Sequence, residues 1–433
     1  MSTGSHQEDK TVSIEGIPPT WQSTPVNYLF RIVGGDGFAP ELQGESSGDL
    51  PFLKNSDISS GITRISTAAN YVSHALARRE GFSLVPPKSI LMGKIGESMK
   101  KNHRVLNTVA CCIDNNMQAM VPDVRLITPE YGLYALKLLN ATDFNNGGPV
   151  PSINNVKWKR ARIPIPLLHE QRLIANVLDD KLAKIDQAMS LLRRELETME
   201  RLKKSLIYEA VTKGLDPTVP MKPSGVEWIG DIPEHWRTTR IKYIAPAWNG
   251  LTYDPADVSD TGTPVLRSGN IQNGELDLQN LVRVVGSIPE KAFARSGDIL
   301  ICSRNGSRNL IGKNALIRQD GYAFGAFMMI ARPTVNSQYF HHLLNSGIFD
   351  FYLPTYLTST VNQLTGTNFG NMIVPITDDP DEQLAIVEEL NTKCKALDVA
   401  MEKKRAQLSL LRKEIDSVIF EYVTGKRRVS EVA

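Results

Sequence analysis

Residues 303–309 read Ser303-Arg304-Asn305-Gly306-Ser307-Arg308-Asn309, with Lys313 close behind. These side-chain types can read nucleic acid. Arginine takes guanine bidentately, asparagine takes adenine, and lysine neutralises phosphate. The same composition also suits a solvated polar loop, and the motif alone leaves both readings open. Recurrence favours the first. Between 88 and 104, Lys88, Lys94, Lys100, Lys101 and Arg104 stand against Glu97, a local charge of +4. Between 291 and 318, Lys291, Arg295, Arg304, Arg308, Lys313 and Arg318 stand against Asp298, giving +5. A third cluster holds Lys157, Lys159, Arg160 and Arg162, preceded by Ser152-Ile153-Asn154-Asn155. That polar strip has a counterpart in Thr358-Ser359-Thr360-Val361-Asn362-Gln363. The candidate DNA contacts are therefore Lys94, Lys100, Lys101, Arg104, Asn154 and Lys157 in the first half. In the second they are Arg304, Asn305, Ser307, Arg308, Asn309, Lys313, Thr360 and Gln363.

No constellation for covalent or hydrolytic chemistry stands beside them. The chain has no G-x-x-x-x-G-K-[ST] loop, no H-E-x-x-H, and no metal spacing among Cys111, Cys112, Cys302 and Cys394. The expectation is no catalytic residue and no metal ligand, with the cysteines buried as reduced thiols. Gly34-Gly35-Asp36-Gly37 reads as a turn rather than a cofactor loop, because Pro40 and Gly44 interrupt any following helix. Hydrophobic residues make up 41% of the 433, ample for two or three folded domains. No apolar run is long enough to span a bilayer, and the polar start lacks a signal-peptide stretch, so the expected location is cytoplasmic. The net charge of only +2 conceals the two basic stretches, which acids elsewhere offset.

The elements that must position these loops occur twice. Glu170-Gln171 aligns with Glu382-Gln383 at an offset of 212, and 15 of the 43 positions 170–212 are then identical. Weaker matches lie upstream. Ile17-Pro18-Pro19-Thr20-Trp21 resembles Ile232-Pro233-Glu234-His235-Trp236, and Pro51–Ile58 resembles Pro264–Ile271. Ile90-Leu91-Met92 with Gly96 resembles Ile299-Leu300-Ile301 with Gly306. Each copy is a diverged globular part of α+β character followed by a retained segment. In those segments Leu178, Ile185, Leu192, Met199 and Leu206 recur every seventh residue, with Leu182, Met189 and Leu196 four residues after the first three. Leu397, Met401, Leu408 and Leu411 occupy the same registers in the second copy. Heptads at this spacing predict a coiled coil, with Lys203 and Lys404 interrupting its seams. Leu178, Ile185, Leu192, Leu196, Met199, Leu397, Met401, Leu408 and Leu411 are the expected pairing residues. Asp379, Pro380 and Glu382 read as N-cap, N1 and capping-box acid, and Gly214 and Gly425 as C-terminal stops. A helix over the segment is about 64 Å long.

Two marks carry a family resemblance. One is Pro-Ile-Pro-Leu-Leu-His-Glu-Gln at 164–171, echoed by Pro375-Ile376 and Asp381-Glu382-Gln383. The other is Ser224-Gly225-Val226-Glu227-Trp228-Ile229-Gly230-Asp231-Ile232-Pro233-Glu234-His235-Trp236. With the duplicated architecture, the chain resembles the specificity subunit of a type I restriction–modification system. The resemblance implies two target recognition domains, each reading one half of a split, asymmetric DNA target. It implies two long helices, paired antiparallel, that set the spacer and dock two methyltransferase subunits, with restriction/translocase subunits as further partners. It implies no catalysis and no cofactor in this chain; S-adenosylmethionine and ATP with Mg would belong to the partners.

The expected layout is a disordered tail at 1–12, recognition domains at 13–163 and 224–376, and long helices at 164–214 and 377–427. A linker at 215–223 and a tail at 428–433 complete it. Two other readings compete: a duplicated-domain DNA-modifying enzyme, and a coiled-coil scaffold that binds protein only. Leu192→Asp or Leu408→Asp places a charge in the expected seam and is predicted to abolish co-purification with a helix-docking partner. Unchanged co-purification would count against paired helices.

Overall fold

The computed structural model describes residues 16–58, 63–357 and 362–429. The expected tail at 1–12 lies outside these residues, as does all of the second tail beyond Val429. The architecture is α+β with two long helices, Leu168–Lys213 and Pro380–Val423. The chain divides into two compact units, Met1–Leu192 with Ala406–Ala433, and Arg193–Arg405. Both boundaries fall inside a long helix rather than at the globular edges read from the sequence. The reason is that each helix half buries its apolar face in the unit it belongs to.

In the first unit a five-stranded sheet runs in the order Phe30–Gly34, Met117–Pro122, Ile90–Gly93, Val105–Asn107, Arg64–Ile65. A smaller sheet pairs Leu50–Leu53 with Asn70–Val72 and, in parallel, with Cys112–Ile113. Gln22–Pro25 pairs antiparallel with Arg162–Ile165, which leads into the long helix. Ile174, Leu178, Leu182, Ile185 and Met189 share one core with Trp21, Tyr131 and Trp158, and Leu408, Leu411, Ile415 and Val418 pack against it. The apolar stripe therefore serves the helix partner and the globular core together.

The second unit repeats this frame. Its four-stranded sheet runs Ala247–Asn249, Met328–Ala331, Ile299–Cys302, Asn314–Leu316. Thr263–Leu266 pairs in parallel with Ala323–Phe324, and Arg237–Arg240 pairs antiparallel with Ile373–Ile376. Ile207 and Val211 enter a core with Trp236, Tyr339, Val387, Leu390 and Cys394. Lys404 bonds Glu195 at 2.6 Å and Lys203 bonds Asp398 at 2.7 Å, so the helix halves run antiparallel here. The two lysines that break the seam pattern are thus each neutralised across it. Met401 is buried, while Leu196, Met199 and Leu397 are half-buried.

The retained Glu-Gln pair has one geometry in both units. The Trp21 indole donates to Glu170 at 3.0 Å, and the Trp236 indole donates to Glu382 at 3.0 Å. Gln171 accepts the Thr128 backbone N–H at 2.8 Å and donates to the carbonyls of Pro166 and Leu126. Gln383 accepts the Asn336 N–H at 3.0 Å and donates to the Thr377 carbonyl. Thr128 and Asn336 cap the helices Pro129–Lys137 and Ser337–Leu343. The expected capping-box role of Glu382 is therefore corrected. Asp379 does cap, accepting Asp381 N–H at 2.9 Å, but the Glu382 carboxylate turns to the buried indole, which has no other acceptor. Both helices stop at glycines with positive φ, Gly214 at 74° and Gly425 at 72°.

The residue types over 68–79 favour helix, yet Asn70–Val72 is a strand and the helix spans only His74–Glu80, capped by Ser73. Val72 lies buried under Leu50, and that pairing outweighs helix propensity. Replacing Gln171 with Ala orphans a buried N–H and two carbonyls. The expected loss is about 1–3 kcal/mol for each orphaned group, read as a lowered urea midpoint. An unchanged midpoint would show that water or relaxation replaces the clamp.

Candidate nucleic-acid interface

The basic loops leave the same strand in each unit. Ile90–Gly93 pairs with Met117–Met120 and Ile299–Cys302 pairs with Met328–Ala331 in the same register. This makes Gly93 and Cys302 equivalent, and with them Lys94 and Ser303, Ile95 and Arg304, and Gly96 and Asn305. The next contact repeats as well. Ile95 bridges Ser152, and Arg304 bridges Gln363. Ile153 N–H donates to the Lys94 carbonyl at 2.9 Å, and Leu364 N–H donates to the Ser303 carbonyl at 2.7 Å. The counterpart of Ser152–Asn155 is thus 363–366, a few residues beyond the match read from sequence. Gln363 lies inside it, while Thr360 lies outside the described residues.

A glycine crossing closes the back of each loop cluster. A Cβ on Gly35 would sit 1.9 Å from the Asp114 carbonyl oxygen, and one on Gly250 would sit 2.0 Å from that of Phe324. Only glycine lets the chain cross another backbone this closely. Gly34 ends a strand and Asp36 bridges Asp114, so the expected turn is instead an extended crossing that belongs to the frame.

In the second unit the side chains converge. Phe327 O accepts Ser303 N–H at 3.0 Å, Arg304 N–H at 3.1 Å and the Ser303 hydroxyl at 3.0 Å. The Arg304 guanidinium lies 5.1 Å from the centre of the Phe327 ring. Asn305 donates to the Ser268 hydroxyl at 3.2 Å and accepts Ser307 N–H at 2.9 Å. Beside them is a cleft of about 550 Å³ lined by Leu251, Thr252, Tyr253, Arg267, Ser268, Gly269, Gly325, Ala326, Phe327 and Met328. Ser307, Arg308 and Asn309 are exposed on the same loop, and Lys313 is half-buried behind it. Two other cations of the +5 stretch are ion-paired: Arg295 with Glu290 and Arg318 with Glu275, each at 3.0 Å.

The first unit presents a different set on the same frame. Asn116 stands where Phe327 does, and Lys54-Asn55 where Arg267-Ser268 do. The turns match: Asp57 accepts Lys54 N–H at 2.7 Å, and Asn270 accepts Arg267 N–H at 3.0 Å. Lys94 is half-buried and Lys101 exposed, while exposed Lys100 pairs with Glu97 at 2.6 Å. Lys157 is exposed on the short helix Asn155–Arg160, whose N-cap is Asn154. The Asn154 amide oxygen is occupied by the N–H groups of Val156 and Lys157, so its primary work is local.

Arg104, expected as a DNA contact, is instead a core residue. It is 2% exposed and lies over the Trp158 ring at 5.5 Å, donating to the His103 carbonyl at 2.9 Å and to the Asn102 amide oxygen at 2.8 Å. Burial pushes its pKa down to about 9, which still leaves it protonated at neutral pH. No DNA groove reaches such a group. Sequence counts it as a charge in a basic run because exposure is not written in charge. Conversely, Tyr253, Arg267 and Phe327 were missed. The alignment of 264–271 with 51–58 already set Arg267-Ser268 opposite Lys54-Asn55, but isolated side chains on separate loops carry no spacing signal. All four cysteines are buried and unpaired with one another. Burial raises Cys111 to about 12 and Cys112 to about 11, so neither is a thiolate at neutral pH.

Comparisons with known proteins agree with this frame. Residues 18–197 match the model of the type I restriction modification DNA specificity domain. The chain is 23% identical to the type I restriction enzyme MjaVIII specificity subunit of Methanocaldococcus jannaschii, over 96% of this chain and 95% of that one. It is 26% identical to the StySPI specificity subunit of Salmonella potsdam over 45% of this chain and 44% of that one. Among solved structures, a chain from work on complex assembly and conformational transition of the type I R-M system superposes with a TM-score of 0.65. That match is 14% identical and covers 94% of this chain and 98% of that one.

The two arginines separate burial from recognition. Arg104→Ala is expected to cost about 3 kcal/mol or more, by losing buried hydrogen bonds and packing. Arg304→Ala is expected to cost about 1 kcal/mol or less, since only an exposed cation–π contact is lost. Urea unfolding of both variants measures the difference; equal losses would refute the assignment of Arg104 to the core.

Proposed function

We propose that the chain is a DNA specificity subunit of a type I restriction–modification system, a reading its similarity to such subunits supports, and that it reads a split, asymmetric double-stranded DNA target. One observation carries this reading. A single backbone frame occurs twice, with the same registers and glycine crossing, yet the loop positions it presents hold different side chains. Arg304, Asn305, Phe327 and Arg267 in the second unit correspond to Ile95, Gly96, Asn116 and Lys54 in the first. Equivalent frames suit the near-twofold backbone of duplex DNA, and unlike side chains suit unlike half-sites.

The chain itself is non-catalytic in this reading. Methyl transfer, with S-adenosylmethionine, belongs to two methyltransferase subunits docked on the long helices. Cleavage and translocation, with ATP and Mg, belong to restriction subunits. The retained helix surfaces, set against diverged globular parts, favour identical partners at both copies. Helices of 46 and 44 residues provide a stiff element with which to fix the spacer between half-sites. No helix among the described residues is long and apolar enough to cross a membrane. A cytoplasmic location, where chromosomal DNA lies, is part of the proposal.

The assembled complex is expected to lose DNA affinity as salt rises, with a log–log slope of about −0.9 per phosphate contact. A slope of zero would defeat the proposal. Mapping methylated adenines in a genome carrying the chain with its methyltransferase should give a bipartite, non-palindromic sequence. Arg304→Ala or Arg308→Ala should relax one half of it only. A change confined to the Lys100 and Lys101 region should affect the other half.

A further inference from the structure

We propose that the second unit reads its half-site by accepting one unstacked nucleobase in the cleft beside Phe327, with the phenyl ring as its stacking surface. This inference rests on the DNA-reading function proposed above and assigns a mode of recognition to that unit alone. Phe327 is 58% exposed, which is an unfavourable setting for a large apolar ring. Its backbone is nevertheless tightly held, since its carbonyl accepts Ser303 N–H, Arg304 N–H and the Ser303 hydroxyl. Asn249 fixes the same turn by donating to the Ala326 carbonyl at 3.4 Å and the Met328 carbonyl at 3.2 Å. An exposed aromatic on a rigid turn loses little entropy when a base stacks on it.

The surroundings fit a nucleobase. The cleft of about 550 Å³ is in the size range of pockets that enclose small ligands. Phe327 and Tyr253 contribute aromatic surface, while Arg267 and Ser268 bring polar groups to the rim. The Ser268 hydroxyl already accepts from Asn305, which leaves its own proton for an acceptor on a base edge. Arg304 over the ring places positive charge where a phosphate would pass. A base–aromatic stack tolerates any base through its π-face, so Arg267 and Ser268 would supply the choice. In the first unit Asn116 occupies the position of Phe327, so the inference is confined to the second unit.

The test uses the assembled complex and duplexes of its mapped target, with 2-aminopurine placed in turn at each position. This adenine analogue brightens when it leaves the stack. The wild-type complex should brighten one position in the half-site read by the second unit. Phe327→Trp should keep the binding affinity, because the indole offers the same stacking face. Phe327→Ala should abolish the rise and weaken binding about tenfold. Arg304→Ala should weaken binding but keep the rise, which separates loss of the ring from loss of the cation above it. The inference is overturned if no rise depends on residue 327, or if Phe327→Ala binds like wild type. A rise at that same position that persists in Phe327→Ala also overturns it, while rises at the methylated adenines belong to the methyltransferase subunits. Absence of salt-sensitive binding by the wild-type complex would instead overturn the DNA-reading function itself.

Discussion

A buried indole N–H is costly to leave without an acceptor, and for Trp21 and Trp236 the acceptor is the first-turn glutamate of a long helix. Trp21 donates to Glu170 and Trp236 to Glu382. The adjacent glutamine accepts the N–H of the residue capping a second helix, Thr128 in one unit and Asn336 in the other. Two neighbouring side chains thereby bind the opening strip of the globular part, a core helix and the base of the long helix. Each of these polar groups is costly to bury alone and nearly neutral when paired. The identity of the pair in both copies follows from that asymmetry.

What hangs from this clamp divides into a frame and a set of presented side chains. The frame is retained as geometry: two sheets, a parallel bridge, a glycine crossing and a loop tied back to the strand before the long helix. Its sequence is free to drift wherever a position asks only for an apolar residue of suitable size. The loops carry no such constraint. Arg304 and Ile95 occupy the same backbone position, and so do Phe327 and Asn116, with the bridges to Gln363 and Ser152 kept and the Ser303 or Lys94 N–H still on the 327 or 116 carbonyl. A scaffold of this kind can change what it reads without changing how it folds.

The long helices show a similar economy. Their heptads were legible because period is a property of the chain. The sequence could not show that one apolar stripe serves both the partner helix and the globular core, as Leu178 and Ile185 do in the company of Trp158 and Leu408. Nor could it show that the seam lysines are answered across it, Lys203 by Asp398 and Lys404 by Glu195. Those acids lie roughly two hundred positions away, where no local pattern links them.

The sequence by itself determined the duplication, the two long helices with their stops at Gly214 and Gly425, the matching runs Ile90–Met92 and Ile299–Ile301, and the family resemblance. These are recorded in periodicity, punctuation and repetition along the chain. Only the tertiary structure decided that Arg104 belongs to a core, that Asn154 is a helix cap, and that Glu382 serves Trp236 rather than its own helix end. It also gathered Tyr253, Arg267, Arg304 and Phe327 around one cleft. The physical reason is the same in each case. Charge and residue type are set locally, but burial and neighbourhood are set by contacts between segments far apart in the chain.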